Sequence, residues 1–169
     1  ELSPPDRILL GPGPSNVSPR VLRAMTLPLL GYLDPDFLEI MNGVAAMLRE
    51  VFGTQDGFTL PISGTGSAGM EAGMANLLEP GDVIVVATNG FFGERMSEMA
   101  TRQGATVAKV PTEWGKVIDP ADVERELKRH PKVKVLSIVQ AETSTGVLQP
   151  LEDLSKLARA YDALFLVDA

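Results

Sequence analysis

FTLPISGTGSAGMEAGMANLLEPGDVIVVAT, residues 58–88, runs from an apolar hexamer through a glycine-rich turn into an Ala/Met-rich segment, then into a run of Val and Ile. The order reads as strand, tight turn, helix, strand, which is the repeating unit of a layered α/β domain. The same alternation continues outward from it. Apolar runs DVIVVAT (82–88), TVAKVP (106–111), VKVLSIVQ (133–140) and ALFLVDA (163–169) are separated by helix-like segments near 92–103, 119–130 and 150–161. Several runs are nearly continuous in Val, Ile and Leu, as expected of strands buried on both faces of a parallel sheet. The helix-like stretch DVERELKR is mostly polar around Val123 and Leu127, so it is expected to form a solvated outer face.

Upstream, residues 1–19 hold five of the thirteen prolines and read as an extended arm with a turn. Two helices follow by their punctuation. SPRVLRAM has Ser18 as N-cap and Pro19 at the first helical position; DPDFLEIMNGVAAMLREVFG has Asp34 as N-cap, Pro35 after it and Gly53 as terminator. The last run, ALFLVDA, ends with the chain and has no closing helix, so a fragment cut in mid-alternation is expected.

Composition bounds the partners. The 169 residues are 44% hydrophobic and 22% charged, with a net charge of -7 and an isoelectric point near 4.7. That balance fits an ordinary globular domain and disfavours nucleic acid and anionic membranes, whose phosphates call for clustered Lys and Arg. The one basic cluster, KRHPKVK at 128–134, sits where a helix gives way to a strand, and its His130 is expected to have no catalytic role. With no cysteine, disulfides and thiolate metal sites are out, and a cytoplasmic setting is expected. No run of apolar residues is long enough for a membrane span.

Gly64-x-Gly66-x-x-Gly69 has the spacing of a dinucleotide-binding turn, but that site needs an acidic residue about 20 positions on, at the end of the second strand. Position 89 is Asn, no carboxylate follows until Glu94, and Asp82 stands at the start of the strand. No Gly-Lys-Ser/Thr follows either, so the turn is not a phosphate loop of the nucleotide-hydrolase type. By itself it admits two readings. Its glycines serve packing, or Thr65, Gly66 and Ser67 offer a helix N-terminus and two hydroxyls to an anion.

Ligands of open α/β sheets bind at the carboxyl edge of the strands. That edge should carry Phe91 and Phe92 after DVIVVAT, Thr143, Ser144 and Thr145 after VKVLSIVQ, and Asp168 at the end of ALFLVDA. Taken singly, the phenylalanines could be core, the hydroxyls local turn bonds and Asp168 a turn cap. Taken together, an anion cradle, an aromatic face, hydroxyls and a carboxylate suit a flat, phosphorylated, nitrogen-containing ring.

The motifs LLGPGPSNVSPRV, ISGTGSAGMEAGMANLLEPGD, NGFFGER, AETSTGVLQPL and LFLVDA, in that order, cover almost the whole chain. In them the chain resembles the N-terminal half of the class V, fold-type I pyridoxal-phosphate aminotransferases, most closely the alanine/serine–glyoxylate branch. The resemblance implies a three-layer α/β/α large domain with a mostly parallel sheet, begun here over residues 20–169 after an N-terminal arm at 1–19, with the C-terminal small domain lying outside the chain. It implies pyridoxal 5'-phosphate as cofactor, its phosphate held by Thr65, Gly66 and Ser67, and its ring stacked on Phe92 where many relatives have Trp. Thr143 would meet the ring's 3-oxygen and Asp168 the protonated pyridine nitrogen.

Small amino acids and 2-oxo acids would be the substrates, and the arm would cross to a second subunit of a homodimer, with GYLDPDF at 31–37 near the substrate entrance. The lysine that carries the cofactor as a Schiff base, and the arginine for the substrate carboxylate, would both lie beyond Ala169. Lys109, Lys116, Lys128, Lys132 and Lys134 do not occupy that motif, so these residues alone are expected to be catalytically incomplete. A lyase or desulfurase on the same fold, and a non-catalytic subunit, are the alternative readings; Phe92 at the stacking position and the lack of Cys speak against a desulfurase.

Overall fold

The computed structural model describes residues 2–169, which divide into two units, one up to Ser63 and the other Gly64–Ala169. In the first, α1 (Pro19–Ala24) and α2 (Pro35–Phe52) begin at the expected prolines. Asp34 caps α2 by accepting from the Asp36 amide at 2.9 Å, and Gly53 ends it in the left-handed region at φ 63°. Ser18 stands at the N-cap of α1, but its hydroxyl makes no capping bond. The run FTLPIS, expected as a strand, forms none. Pro61 has no N–H to give a sheet ladder, and Thr59 Oγ1 instead donates to the Ala45 carbonyl of α2 at 2.8 Å.

The second unit holds the sheet. Its elements are α3 (Gly66–Leu77), β1 (Val83–Thr88), α4 (Phe91–Arg102), β2 (Thr106–Pro111), α5 (Pro120–Leu127), β3 (Val135–Val139), β4 (Ala141–Glu142), β5 (Val147–Leu148), α6 (Glu152–Ala160) and β6 (Leu164–Asp168). Four strands pair in parallel in the order β2-β1-β3-β6. Alternating side chains of β1 go to opposite faces, as a strand requires. Ile84 and Val86 join Met74 of α3 and Met96 and Met99 of α4; Val85 and Ala87 join Val123 and Leu127 of α5 and Leu154 of α6. Two helices therefore cover each face, giving three layers.

The sequence reading missed the two-residue hairpin of β4 and β5, which pairs Ala141 with Leu148 and Glu142 with Val147. The polar face of α5 is solvated as expected, with Arg125 paired to Asp122 at 2.7 Å and Lys128 to Glu124 at 2.8 Å. Its Val123 and Leu127 are fully buried and fasten it to the sheet. The basic cluster is neutralised locally: Arg129 and His130 both meet Glu126, and Lys134 meets Asp82 at 2.6 Å. That last pair joins the starts of β3 and β1, at the sheet edge opposite the carboxyl ends of the strands. No helix among the described residues is long and apolar enough to cross a membrane.

Candidate active site

Because all four strands run the same way, Thr88, Pro111, Val139 and Asp168 end at one edge. Chain order reverses between β1 and β3, since β2 lies to one side of β1 and β3 to the other, and a crevice opens where such connections diverge. A cavity of about 390 Å³ lies at this edge. Its lining includes Thr65, Gly66 and Ser67 at the start of α3, Phe92 in the first turn of α4, Thr143 in the hairpin after β3, and Asp168 at the end of β6. Whereas Phe91, Ser144 and Thr145 are not among its lining residues, the six residues that the resemblance assigned to the cofactor thus meet in one place. Met70, one turn into α3, joins them and had no signal beyond its place on a helix face. A larger cavity of about 620 Å³ lies over Gln149, Leu151 and Lys156 beside α6, but it gathers none of those six.

The anion side is built from backbone. Gly64 holds φ 152°, and a Cβ there would come within 2.7 Å of the Ala68 Cβ, so only glycine makes this turn without strain. The turn delivers the chain to Thr65, the N-cap of α3, whose side chain makes no capping bond. The amides of Gly66 and Ser67 lie in the first turn, where a helix has no internal acceptor for them. A Cβ at Gly66 would meet nothing within 4 Å, so the approach to these amides is open.

The next helix, α4, is finished differently. Its first four amides all have partners. Phe91 N–H donates to Ser144 Oγ at 2.9 Å, Phe92 and Gly93 N–H to Glu142 Oε2 at 3.1 and 3.3 Å, and Glu94 N–H to the Gly90 carbonyl at 3.3 Å. Glu142 is 1% exposed, and its other oxygen accepts from the Ser144 amide at 3.2 Å and from the Ser144 hydroxyl. The hairpin loop thereby caps α4 from across the sheet edge and fixes Phe92 relative to Thr143. Gly90 makes the approach possible, since a Cβ there would collide with the Glu142 side chain and the Ser144 hydroxyl. Sequence reasoning passed over Glu142; a lone acid in an otherwise hydroxyl-rich loop was the available signal.

Asp168 is the acid of the cavity. Desolvation, and secondly the nearby negative charge of Glu142, push its carboxyl above the usual carboxylate range. A cationic group placed beside it would reverse that shift. Phe91 and Phe92 meet edge to face at 5.5 Å, and the Arg95 guanidinium lies 4.8 Å from the Phe91 ring centre and 5.5 Å from that of Phe92.

A helix N-terminus with open amides, an aromatic side chain and a partly desolvated carboxylate thus lie together at the switch point of a parallel sheet. The cavity is of the size typical of small-molecule sites, about 300–1,000 Å³, and its donors suit a phosphate. The family model of the class V aminotransferases matches residues 9–169, and the chain belongs to that family. It is 46% identical over its whole length to (S)-ureidoglycine–glyoxylate transaminase of Bacillus subtilis and 43% identical over 99% of its length to alanine–glyoxylate aminotransferase of Mus musculus. The crystal structure of alanine–glyoxylate aminotransferase from Nostoc sp. superposes with a TM-score of 0.94 at 45% identity, covering 98% of this chain and 44% of that one. The chain spans about 40% of the length of those two curated relatives. The fold is that of the fold-type I aminotransferases, and the family is pyridoxal-phosphate-dependent.

Proposed function

We propose that the whole protein is a pyridoxal-phosphate-dependent transaminase that moves an amino group from a small amino acid, of alanine or serine type, to a 2-oxo acid such as glyoxylate or pyruvate. The observation that carries this reading is the convergence of Thr65, Gly66, Ser67, Phe92, Thr143 and Asp168, from four separate stretches of chain, on one cavity. Glyoxylate is common to the names of the two curated relatives above, whereas ureidoglycine stands as donor in one and alanine in the other. The acceptor is therefore the firmer half of the substrate assignment.

Each residue has a task that its chemistry suits. The amides of Gly66 and Ser67 and the hydroxyls of Thr65 and Ser67 donate to the phosphate, with the α3 dipole adding attraction. Phe92 covers one face of the ring and excludes water from it. Thr143 donates to the ring's 3-oxygen, and Asp168 keeps a proton on the ring nitrogen. When bound, the cofactor supplies an electron sink for the negative charge that develops at the substrate's α-carbon. Asp168 sustains that sink by holding the ring cationic, so its removal should impair turnover more than binding.

We further propose that residues 20–169 begin the cofactor-binding large domain and that the 1–19 arm reaches a second copy in a homodimer. Neither α1 nor α2 contains a buried residue, which fits helices made to be covered by other protein. The test is made on the whole protein. Pyridoxal phosphate is added and reduced with borohydride, the intact mass is measured, and alanine, serine and ureidoglycine are screened as donors against glyoxylate and pyruvate. One reduced cofactor per chain and amino transfer to glyoxylate are expected; no adduct and no transfer would refute the proposal.

A further inference from the structure

Arg95 stands apart from most of the charged residues around it. The half-buried side chains of Asp82, Glu94 and Glu126 are each paired with a basic residue, whereas no carboxylate lies within 4 Å of the Arg95 guanidinium among the described residues. Its side chain is half-buried. Its guanidinium donates from Nη1 to Ser67 Oγ at 2.6 Å and lies against the rings of Phe91 and Phe92. Those rings are one helical turn earlier on α4, at i-4 and i-3, and so share its face. Arg95 does not itself line the cavity, but Ser67 and Phe92 do.

A serine hydroxyl has one hydrogen to give and two lone pairs to receive with. With one lone pair taken by Arg95, the hydroxyl hydrogen is free to turn to an acceptor in the cavity. The adjacent positive charge polarises that O–H and strengthens it as a donor. The guanidinium remains charged at any working pH. A positive charge held at the start of α3 without a carboxylate among the described residues is complemented by a ligand dianion.

We propose that Arg95 is a positioning residue for the phosphate of the cofactor: it fixes Ser67 as a donor toward the phosphate and supplies behind it a positive charge that no carboxylate among the described residues pairs. The proposal rests on the cofactor reading above and names a residue outside the six that line the cavity.

The experiment compares pyridoxal 5'-phosphate with pyridoxal, which lacks the phosphate, as ligands of the cofactor-free whole protein by equilibrium dialysis. In the wild type the phosphorylated ligand should bind far more tightly. Arg95→Gln should lower its affinity roughly tenfold, the loss of one charge-assisted bond, and lower that of pyridoxal by less than about threefold, the part due to the rings. On a Ser67→Ala background the phosphate-specific loss should shrink, because the part transmitted through Ser67 is already gone and only the contribution of the charge itself remains.

Equal losses for both ligands, or full additivity with Ser67→Ala, would overturn the proposal while leaving the cofactor site intact. A wild type that does not distinguish the ligands would overturn the cofactor reading as well. If Gln at position 95 prevents folding, Arg95→Lys is measured in its place. It keeps the charge and loses the planar fork, so an intermediate ratio is expected and an unchanged ratio refutes the proposal.

Discussion

Replacing Glu142 should separate the architecture of the site from its chemistry. The buried carboxylate accepts from the amides of Phe92, Gly93 and Ser144 and from the Ser144 hydroxyl. In Glu142→Gln the amide keeps one oxygen, which best serves Phe92 and Gly93. Its NH2 then faces Ser144, whose hydroxyl can turn to accept but whose amide loses its partner. Ser144 is exposed, so its amide turns to water and the lost bond costs about 0.5–1.5 kcal/mol, while two charge-assisted bonds fall to neutral strength at roughly 0.5 kcal/mol each. The expected loss is therefore about 1.5–2.5 kcal/mol. Glu142→Ala strands the amides of Phe92 and Gly93 at about 1–3 kcal/mol each, roughly 2–6 kcal/mol in all, a large part of the 5–15 kcal/mol of a typical domain. Denaturant unfolding of the whole protein gives the energy, and native-state amide exchange locates it, with protection lost first at Phe92, Gly93 and Ser144. A Gln variant within about 0.5 kcal/mol of wild type, with those amides still protected, would refute this account of how Phe92 is held.

Asp168→Asn should raise the melting temperature of the cofactor-free protein near neutral pH while lowering kcat by about 30-fold or more, the cost of removing one partner of a buried charge pair. The pH dependence follows from the raised carboxyl. The native state holds that proton more tightly than the unfolded state, so the wild type loses stability as pH climbs from the unfolded value through the folded one. The difference in melting temperature between variant and wild type should open over that window, and a gap of constant size would contradict it. Gly64→Ala should cost about 1–3 kcal/mol for a side chain at φ 152° against Ala68, and should weaken binding of pyridoxal phosphate more than of pyridoxal, as read by dialysis. Leu127→Ala should cost about 2–5 kcal/mol in denaturant unfolding, because the α5 side chain is fully buried under the sheet; a loss below 1 kcal/mol would restore α5 to a merely solvated helix.

The parallel sheet was legible because the periodicity of buried strands is written in single residues. VIVV at 83–86 sends alternate side chains to two different cores, and only a strand covered on both faces needs that composition. The site's edge followed from strand direction alone. FTLPIS failed because apolar composition does not distinguish a strand from an apolar loop, and what excluded it was the missing donor of Pro61 together with the lack of a neighbouring strand. Glu142 and Arg95 escaped for another reason. Their partners are about fifty and twenty-eight positions away, Phe92 and Ser67 respectively, and no local pattern records a bond made across the sheet edge. Gly90 carried a trace of it, but a glycine before a helix has many commoner explanations.

The polarity of the site comes from how two helix ends at one edge are treated. Both α3 and α4 begin there, and both present first-turn amides with a positive dipole end. At α4 that potential is already matched by Glu142 and Ser144, which occupy the amides of Phe91, Phe92 and Gly93. At α3 no side chain among the described residues caps the turn, and the added charge of Arg95 comes from behind through Ser67. An incoming anion therefore has one open pole. Desolvation first, and then the nearby negative charge of Glu142, raises the cost of ionising Asp168 until a cation arrives. A ligand with a dianion at one end and a protonated ring nitrogen at the other then has a single favourable orientation. Reversed, its phosphate would lie against Asp168, with the charge of buried Glu142 behind it, and its cation against an open helix N-terminus.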